Sequence, residues 1–380
     1  MKNKKVSITT AILLTAALTL GASTSIYASS ASKVVQATST DVKRTSAKLV
    51  AKGTKIQYTA VPTQSDGQSH DGRILTSTNA GDMLFYDQDG KAAFTLAKNL
   101  VPVSDFHDQR ALVKDTTTQL YGYINTKGKL AIPCSYVEAS SFSEGIAFVK
   151  KSKEDNGAFI AVSGKQVTTL ERAYDSDFQF SNGLAVAYSA NSGKMGYLNT
   201  GGDIIIPYKY DYARAFSEKA AVVQDSKGKY GYINPQGKVI ISLQYQGAGD
   251  FSEGLAPVQN SKGLWGYINM KGKVVIPFQY ASADSFSEGL AVVYNKQGKI
   301  GYINKQGKMA IVYTKYNKAS GFNEGIAVVG VETKTSHTFG YMDTKGRLLT
   351  PLQYKQAYPF NEGVAIASTS DQAAVILSKS

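Results

Sequence analysis

The sequence predicts an all-β protein made of tandem units of about 35 residues, each a three-stranded antiparallel meander, forming a propeller-like ring in preference to an open β-solenoid. Three observations carry this expectation. The phrase Phe-Ser-Glu-Gly, exact or degenerate, returns at Phe106, Phe142, Phe180, Phe216, Phe251, Phe286, Phe322 and Phe360, at intervals of 35 to 38 residues. Between these phrases short β-rich runs alternate with Gly-containing polar turns, as half-buried hairpin strands do. The composition, 43% hydrophobic with 24 Tyr and 15 Phe, supplies a core, and no run of ordinary helix length and period interrupts the pattern.

Residues 1–28 read as an export signal, with Lys2, Lys4 and Lys5 before an apolar run from Ala11 to Ala22 and small residues around Ala28 to Ala31. That run is too short and too Thr-rich for a membrane span, and no later stretch reaches that length, so no transmembrane segment is expected after signal removal. Residues 29–54 are Ser/Thr/Lys-rich and read as a flexible leader. An isolated strand, "KIQYTAV", and a polar loop are expected over 55–72. The array follows over 73–380, with about eight units, the last one partial.

One unit shows the local logic. "GLAVVY" (289–294), "IGYIN" (300–304) and "MAIVY" (309–313) are three strands separated by the turns "NKQGK" and "KQGK". The passage after them, "TKYNKASGFNEG", is less regular, but its Tyr, Ala and Phe recur and read as contacts to the neighbouring unit. A sheet this small cannot bury its apolar face alone, so the units must stack. The array begins with "RILTSTN" and ends with "AAVILSKS", and a terminal strand pair meeting the first unit would remove exposed edges.

The second recurring phrase, Gly-Tyr-Ile-Asn or a near copy, starts at Gly122, Gly196, Gly231, Gly266, Gly301 and Gly340. Preceded once by tryptophan, as Trp265-Gly266, and elsewhere by Tyr121, Met195, Tyr230, Ile300 and Phe339, it resembles the WG repeat family of bacterial proteins. The resemblance covers roughly residues 73–380 and implies an all-β tandem-repeat protein, often exported, of a family without shared catalytic residues.

Glu144, Glu218, Glu253, Glu288, Glu324 and Glu362 occupy the acidic place of the first phrase. A catalytic carboxylate needs one special environment, and six equivalent copies argue instead for a turn acid accepting backbone N–H bonds ahead of the glycine. The six glycines of the second phrase are read as structural too. The chief departure from the repeat is "SDFHDQR", which gathers Asp105, His107, Asp108 and Arg110. With no second histidine near in sequence, and His70 and His337 in loops, it reads as a degenerate turn, and no metal or cofactor is expected. The insertions at 150–157 and 331–338 read as surface loops, and Cys134 as a small buried hydrophobe, so no disulfide framework is available.

The formal charge of +13 favours an anionic partner, although the lysines recur in turns instead of clustering. The expected function is a secreted, non-enzymatic repeat scaffold, extracellular or wall-associated. Its expected partner is a protein or a cell-wall polymer or glycan, not nucleic acid. The strand-start aromatics Tyr121, Tyr230, Trp265 and Phe339 are candidate contacts, against interblade packing as their other role. Two alternatives stand beside this reading: a glycan-active enzyme, which would need unpaired acids outside the repeated positions, where Asp105, Asp108 and Asp284 are too unspecific to nominate, and a structural spacer array.

Overall fold

Each unit becomes a small twisted sheet because its strands alternate while its turns carry residues that adopt positive φ. Blade 6 is representative, with strands Gly247–Ala248, Leu255–Gln259, Trp265–Asn269 and Val274–Tyr280 hydrogen-bonded in that order. The first hairpin closes on Glu253 and Gly254, both at positive φ, with Ser252 and Leu255 exchanging two backbone bonds. Two consecutive left-handed residues define the type I′ turn that matches strand twist. At the last hairpin Asn269 Oδ1 accepts the N–H groups of Lys271 and Lys273, so the asparagine of the second phrase builds its own turn.

The glycine of that phrase has a separate cause. The fourth strand bulges over the third, which pairs Trp265 with Tyr280 and Tyr267 with Ile276. A Cβ on Gly266 would stand 2.6 Å from the carbonyl oxygen of Ile276, so a side chain there has no room.

The computed structural model describes residues 49–57, 61–62, 65–78, 82–171, 178–370 and 373–379. The segment expected as an export signal, residues 1–28, and most of that expected as a leader fall outside these. Among the described residues there are nine sheets: seven of four strands, one of three and one of two. The full blades therefore have four strands where three were expected. Outside blade 2, whose first strand is Leu100–His107, the extra strand is only two residues long, such as Gly247–Ala248 or Ser282–Ala283, and it lies in the passage that looked irregular. Two residues are too few to show alternation.

The ring closes through the chain ends. Blade 9 comprises Gln356–Ala357, Val364–Ser370 and Ala373–Lys379, and its fourth strand is Leu49–Gln57, antiparallel to Ala373–Lys379. The strand expected to be isolated at 55–61 thus starts within the supposed flexible leader and completes the last sheet. Blade 1 is the two-stranded sheet Ile74–Ser77 and Met83–Tyr86, and the segment expected to be a plain polar loop supplies its entry turn, His70 bridging Arg73. Ile56, Ile74, Tyr86, Val364, Ile366, Ala374 and Ile376 form one core cluster, joining the first blade to the last.

The core lies between blades. Leu255, Tyr267 and Ile276 of blade 6 pack with Phe286, Ala291, Val293 and Ile303 of blade 7. The phrase tyrosines Tyr123, Tyr197, Tyr232, Tyr267, Tyr302 and Tyr341 are fully buried. Each packs on the phenylalanine of the following blade, as Tyr267 does on Phe286 with ring centroids 4.9 Å apart. Tyr267 also donates its hydroxyl to the carbonyl of Asp284 at 2.7 Å, and burial pushes its ionisation well above the usual range.

Candidate functional site

The acidic positions of the first phrase form a circuit around the ring, interrupted between blades 4 and 5, where Asn182 takes the acid's place and donates Nδ2 to Ser181 Oγ. Glu253 accepts the N–H of Gly289 through both carboxylate oxygens, at 2.9 and 3.0 Å, and Glu288 accepts that of Gly325. Glu218 serves Gly254, Glu324 serves Gly363, and Glu144 serves both Asn182 and Gly183. The circuit continues where the sequence is degenerate: Asp108 accepts from Gly145, and Asp71 from Gln109. Glu362 of blade 9 closes it on Gly72 and Ser69 Oγ, at 2.8 and 2.7 Å. These acids reach the next blade's turn, not their own. Equivalent groups of adjacent wedges come within one side chain's reach only near the axis, which places this ladder on the inner rim.

Antiparallel order puts the first-phrase and asparagine turns at one end of every blade and the turns between second and third strands at the other. Tyr121, Tyr230 and Trp265 begin third strands and Phe339 is the third residue of one, His337–Asp343, so they lie toward that second end, in blades 2, 5, 6 and 8. They are not brought together at one point. Each is half-buried against an interblade core and leaves part of its ring at the surface. Lys114 Nζ stands 5.3 Å over the ring of Tyr121, and Tyr212 meets Tyr230 edge-on at 6.2 Å. Trp265 covers Gly247, whose added Cβ would lie 3.0 Å from the indole.

The turns at this end carry Lys194, Lys227, Lys229, Lys262, Lys296 and Lys299. Acids on the same turns are already engaged: Asp115, Asp155 and Asp225 each accept two turn N–H groups. These bonds hold the carboxyls of Asp115 and Asp155 below the usual range. All three acids remain charged and offset part of the lysine charge, while the more numerous ladder acids offset it at the opposite end. The two ends of the ring therefore differ in character, a property hidden while the lysines are counted along the chain.

The "SDFHDQR" departure divides in the fold. Asp108 joins the ladder, and Arg110 donates Nε to the carbonyl of Val162. His107 instead meets His70, with ring centroids 5.4 Å apart. His70 Nε2 stands 2.9 Å from both carboxylate oxygens of Asp66, and Asp105 accepts Ser65 Oγ at 2.8 Å and the Asp66 N–H at 3.0 Å. Donor atoms of Asp66, His70 and Asp105 all lie within 4.8 Å of one another. Asp105 is buried, and desolvation pushes its carboxyl up to about 6. Against its own desolvation, the Asp66 carboxylate raises His70 above the ordinary imidazole value, while burial and the charge of His70 lower His107. Asp66 and His70 were missed as partners because 39 residues separate Asp66 from Asp105; the signal available was that His70 and His107 both take the serine place of the first phrase.

Elsewhere Asp284 is pushed up to about 6 by burial alone, and Asp250 is raised by burial although Arg214 stands 2.9 Å away. Cys134 is half-buried beside the cluster of Phe85, Phe106 and Ile124. His337, expected in a loop, instead opens the strand His337–Asp343 and pairs at 2.9 Å with Glu332, its cross-strand partner in Ile326–Glu332.

The family model described as "WG containing repeat" matches residues 121–153, 195–230, 230–263, 265–299, 300–332 and 339–371. The chain belongs to this family. Among solved structures, the ring is similar to a crystal structure described as the eukaryotic initiation factor, with TM-score 0.54 and 13% identity over 80% of this chain and 87% of that one. BamB from Moraxella catarrhalis matches with TM-score 0.41 and 10% identity over 82% and 92% of the two chains. The WD40 beta propeller domain of Doa1 matches with TM-score 0.30 and 12% identity over 63% and 91%. No curated protein matches the sequence.

Proposed function

We propose that this protein is an exported, non-enzymatic binding scaffold that takes an anionic cell-wall polymer or acidic glycan on the end of the ring formed by the turns between second and third strands. One observation carries the reading: at that end lysine-bearing turns lead into half-buried aromatics in blades 5, 6 and 8, Lys227 and Lys229 before Tyr230, Lys262 before Trp265 and Lys334 before Phe339, and in blade 2 the strand residue Lys114 lies over Tyr121. A sugar ring stacks on an exposed aromatic edge while ammonium groups meet the charges between sugars. Repetition around the ring suits a repeating ligand, because each blade adds a weak contact and the sum is avidity. The signal read in residues 1–28 supports meeting this ligand outside the cell, at the wall.

The test is retention of residues 29–380 on purified wall fractions, with and without their anionic polymers, across a salt series. Saturable binding that weakens steeply toward about 0.3 M salt is expected. Replacing Lys227, Lys229, Lys262 and Lys296 with Gln should weaken it, while the same number of changes among Lys127, Lys238, Lys271 and Lys308 at the opposite end should not. Equal loss from both sets would refute the assignment to one end.

A further inference from the structure

We propose that Asp66, His70 and Asp105 form a binding site for one divalent first-row metal ion at the seam where the ring closes. The argument begins with the donors. One imidazole nitrogen and two carboxylates make a mixed nitrogen and oxygen set, which suits Zn²⁺, Co²⁺ or Mn²⁺ more than a hard ion that prefers oxygen alone. Their ligating atoms already lie within 4.8 Å of one another. Bonds of about 2.1 Å place ligand atoms roughly 3 to 4 Å apart, so small side-chain rotations suffice.

Position strengthens the case. Asp105 is 4% exposed on the first strand of blade 2, Leu100–His107. Asp66 and His70 come from the segment entering blade 1, and Asp71, Asp108 and Glu362 surround them as ladder acids. A cation held between Asp66 and Asp105 relieves the repulsion of two carboxylates drawn together by the fold. Ser65 Oγ and the Asp66 N–H orient Asp105 from behind, and each oxygen they use keeps a second lone pair for a metal.

The location is also singular. In blades 4 to 7 the serine before the turn donates Oγ to the phenylalanine carbonyl of the next blade, as Ser252 does to Phe286. Histidine replaces that serine in two adjacent blades, at His70 and His107, and their rings meet. Two of the chain's three histidines thus gather where the repeat breaks. The same segment is tied to blade 9 by Asn361 Nδ2 on the Ser69 carbonyl at 2.7 Å, so a bound ion would link blade 2 to the segment that closes the ring.

The experiment uses the full exported chain stripped with chelator, then titrated with Zn²⁺ by calorimetry and with Co²⁺ by visible absorption. One equivalent is expected to bind, with Co²⁺ bands of a nitrogen and oxygen site and a raised melting temperature. His70→Ala and Asp105→Asn should each lose at least about tenfold in affinity. His337→Ala, which removes the remaining histidine outside the seam, should lose none. Should His70→Ala fail to fold by circular dichroism, His70→Gln keeps a hydrogen-bonding side chain and serves in its place. Failure of both ions to bind stoichiometrically, or full binding retained by the folded His70 variant, overturns the proposal and leaves a hydrogen-bonded His–Asp pair.

Discussion

Replacing Glu253 tests whether the carboxylate circuit holds the blades together. Its two oxygens share the N–H of Gly289, a charge-assisted bond between blades, and Lys305 adds an ion pair at 3.6 Å. Bonds to charged groups contribute about 1.5 to 3 kcal/mol, and partial exposure of the glutamate favours the lower end. The lysine is 41% exposed and adds little. Glu253→Ala should therefore cost about 1.5 kcal/mol in urea unfolding. Glu253→Gln, which keeps an acceptor, should cost less than half of that. Glu253→Gly should fall between them, because it loses the bond but relieves a left-handed residue at φ 54° worth roughly 1 kcal/mol. Glu288 precedes the glycine that Glu253 grips and itself grips Gly325, so the double alanine variant should lose about 3 kcal/mol plus any coupling through the shared turn. If Glu253→Ala unfolds at the same urea concentration as the parent, or if alanine and glutamine cost the same, the circuit is geometry without energy.

Asp284→Asn should stabilise the ring at pH 8 and change little at pH 4. Its folded-state carboxyl, near 6 through burial, binds protons that the unfolded chain has lost, so parental stability falls as pH rises from about 4 to about 6. The full shift amounts to roughly 3 kcal/mol, and denaturant titrations at the two pH values read it, with Asp105 leaving a residual slope in the variant. Gly266→Ala should cost about 2 kcal/mol or more, because its Cβ meets backbone and not a movable side chain; an unchanged melting temperature would show that the bulge relaxes. Lys219→Gly should stabilise by about 1 kcal/mol, since Lys219 and Glu218 hold φ of 68° and 49° in succession where the other glutamate turns supply a glycine. A loss of stability there would mean that the lysine makes a contact outweighing its strain.

The sequence made the period, the strand pairs and the two phrases legible because each is a local rule repeated many times. Ser252-Glu253-Gly254-Leu255 is a type I′ hairpin in any context, and Asn269 two residues before Lys271 is an Asx turn in any context. The destination of the glutamate was not legible. Its partner lies 36 residues away in the next blade, and nothing local distinguishes an acid that serves its own turn from one that reaches across. The same holds for Leu49–Gln57, whose sequence "LVAKGTKIQ" alternates weakly and becomes a strand because the edge of Ala373–Lys379 is open to it. The ninth unit escaped notice since Ser69-His70-Asp71-Gly72 shares with Phe-Ser-Glu-Gly only its turn logic, a short acid followed by a residue at positive φ. Long-range pairing thus decided each element whose own pattern was degenerate.

That division has a consequence for where new chemistry can arise. In a regular blade the serine of the first phrase clasps its neighbour and the tyrosine of the second fills the wedge, so substitution at either loosens an interface that recurs around the ring. The seam escapes this constraint. Blade 1 keeps only two strands, its closure rests on the pairing of the chain ends, and Glu362 maintains the circuit through Gly72 without needing the serine clasp. His70 and His107 can therefore occupy the clasp positions at little structural cost, and Asp66 can enter from a segment that no other blade possesses. Repeated blades offer an extended surface that changes only slowly, whereas the single place of broken symmetry offers unlike residues in contact. A search for chemistry in other rings of this family should begin at the closing blade.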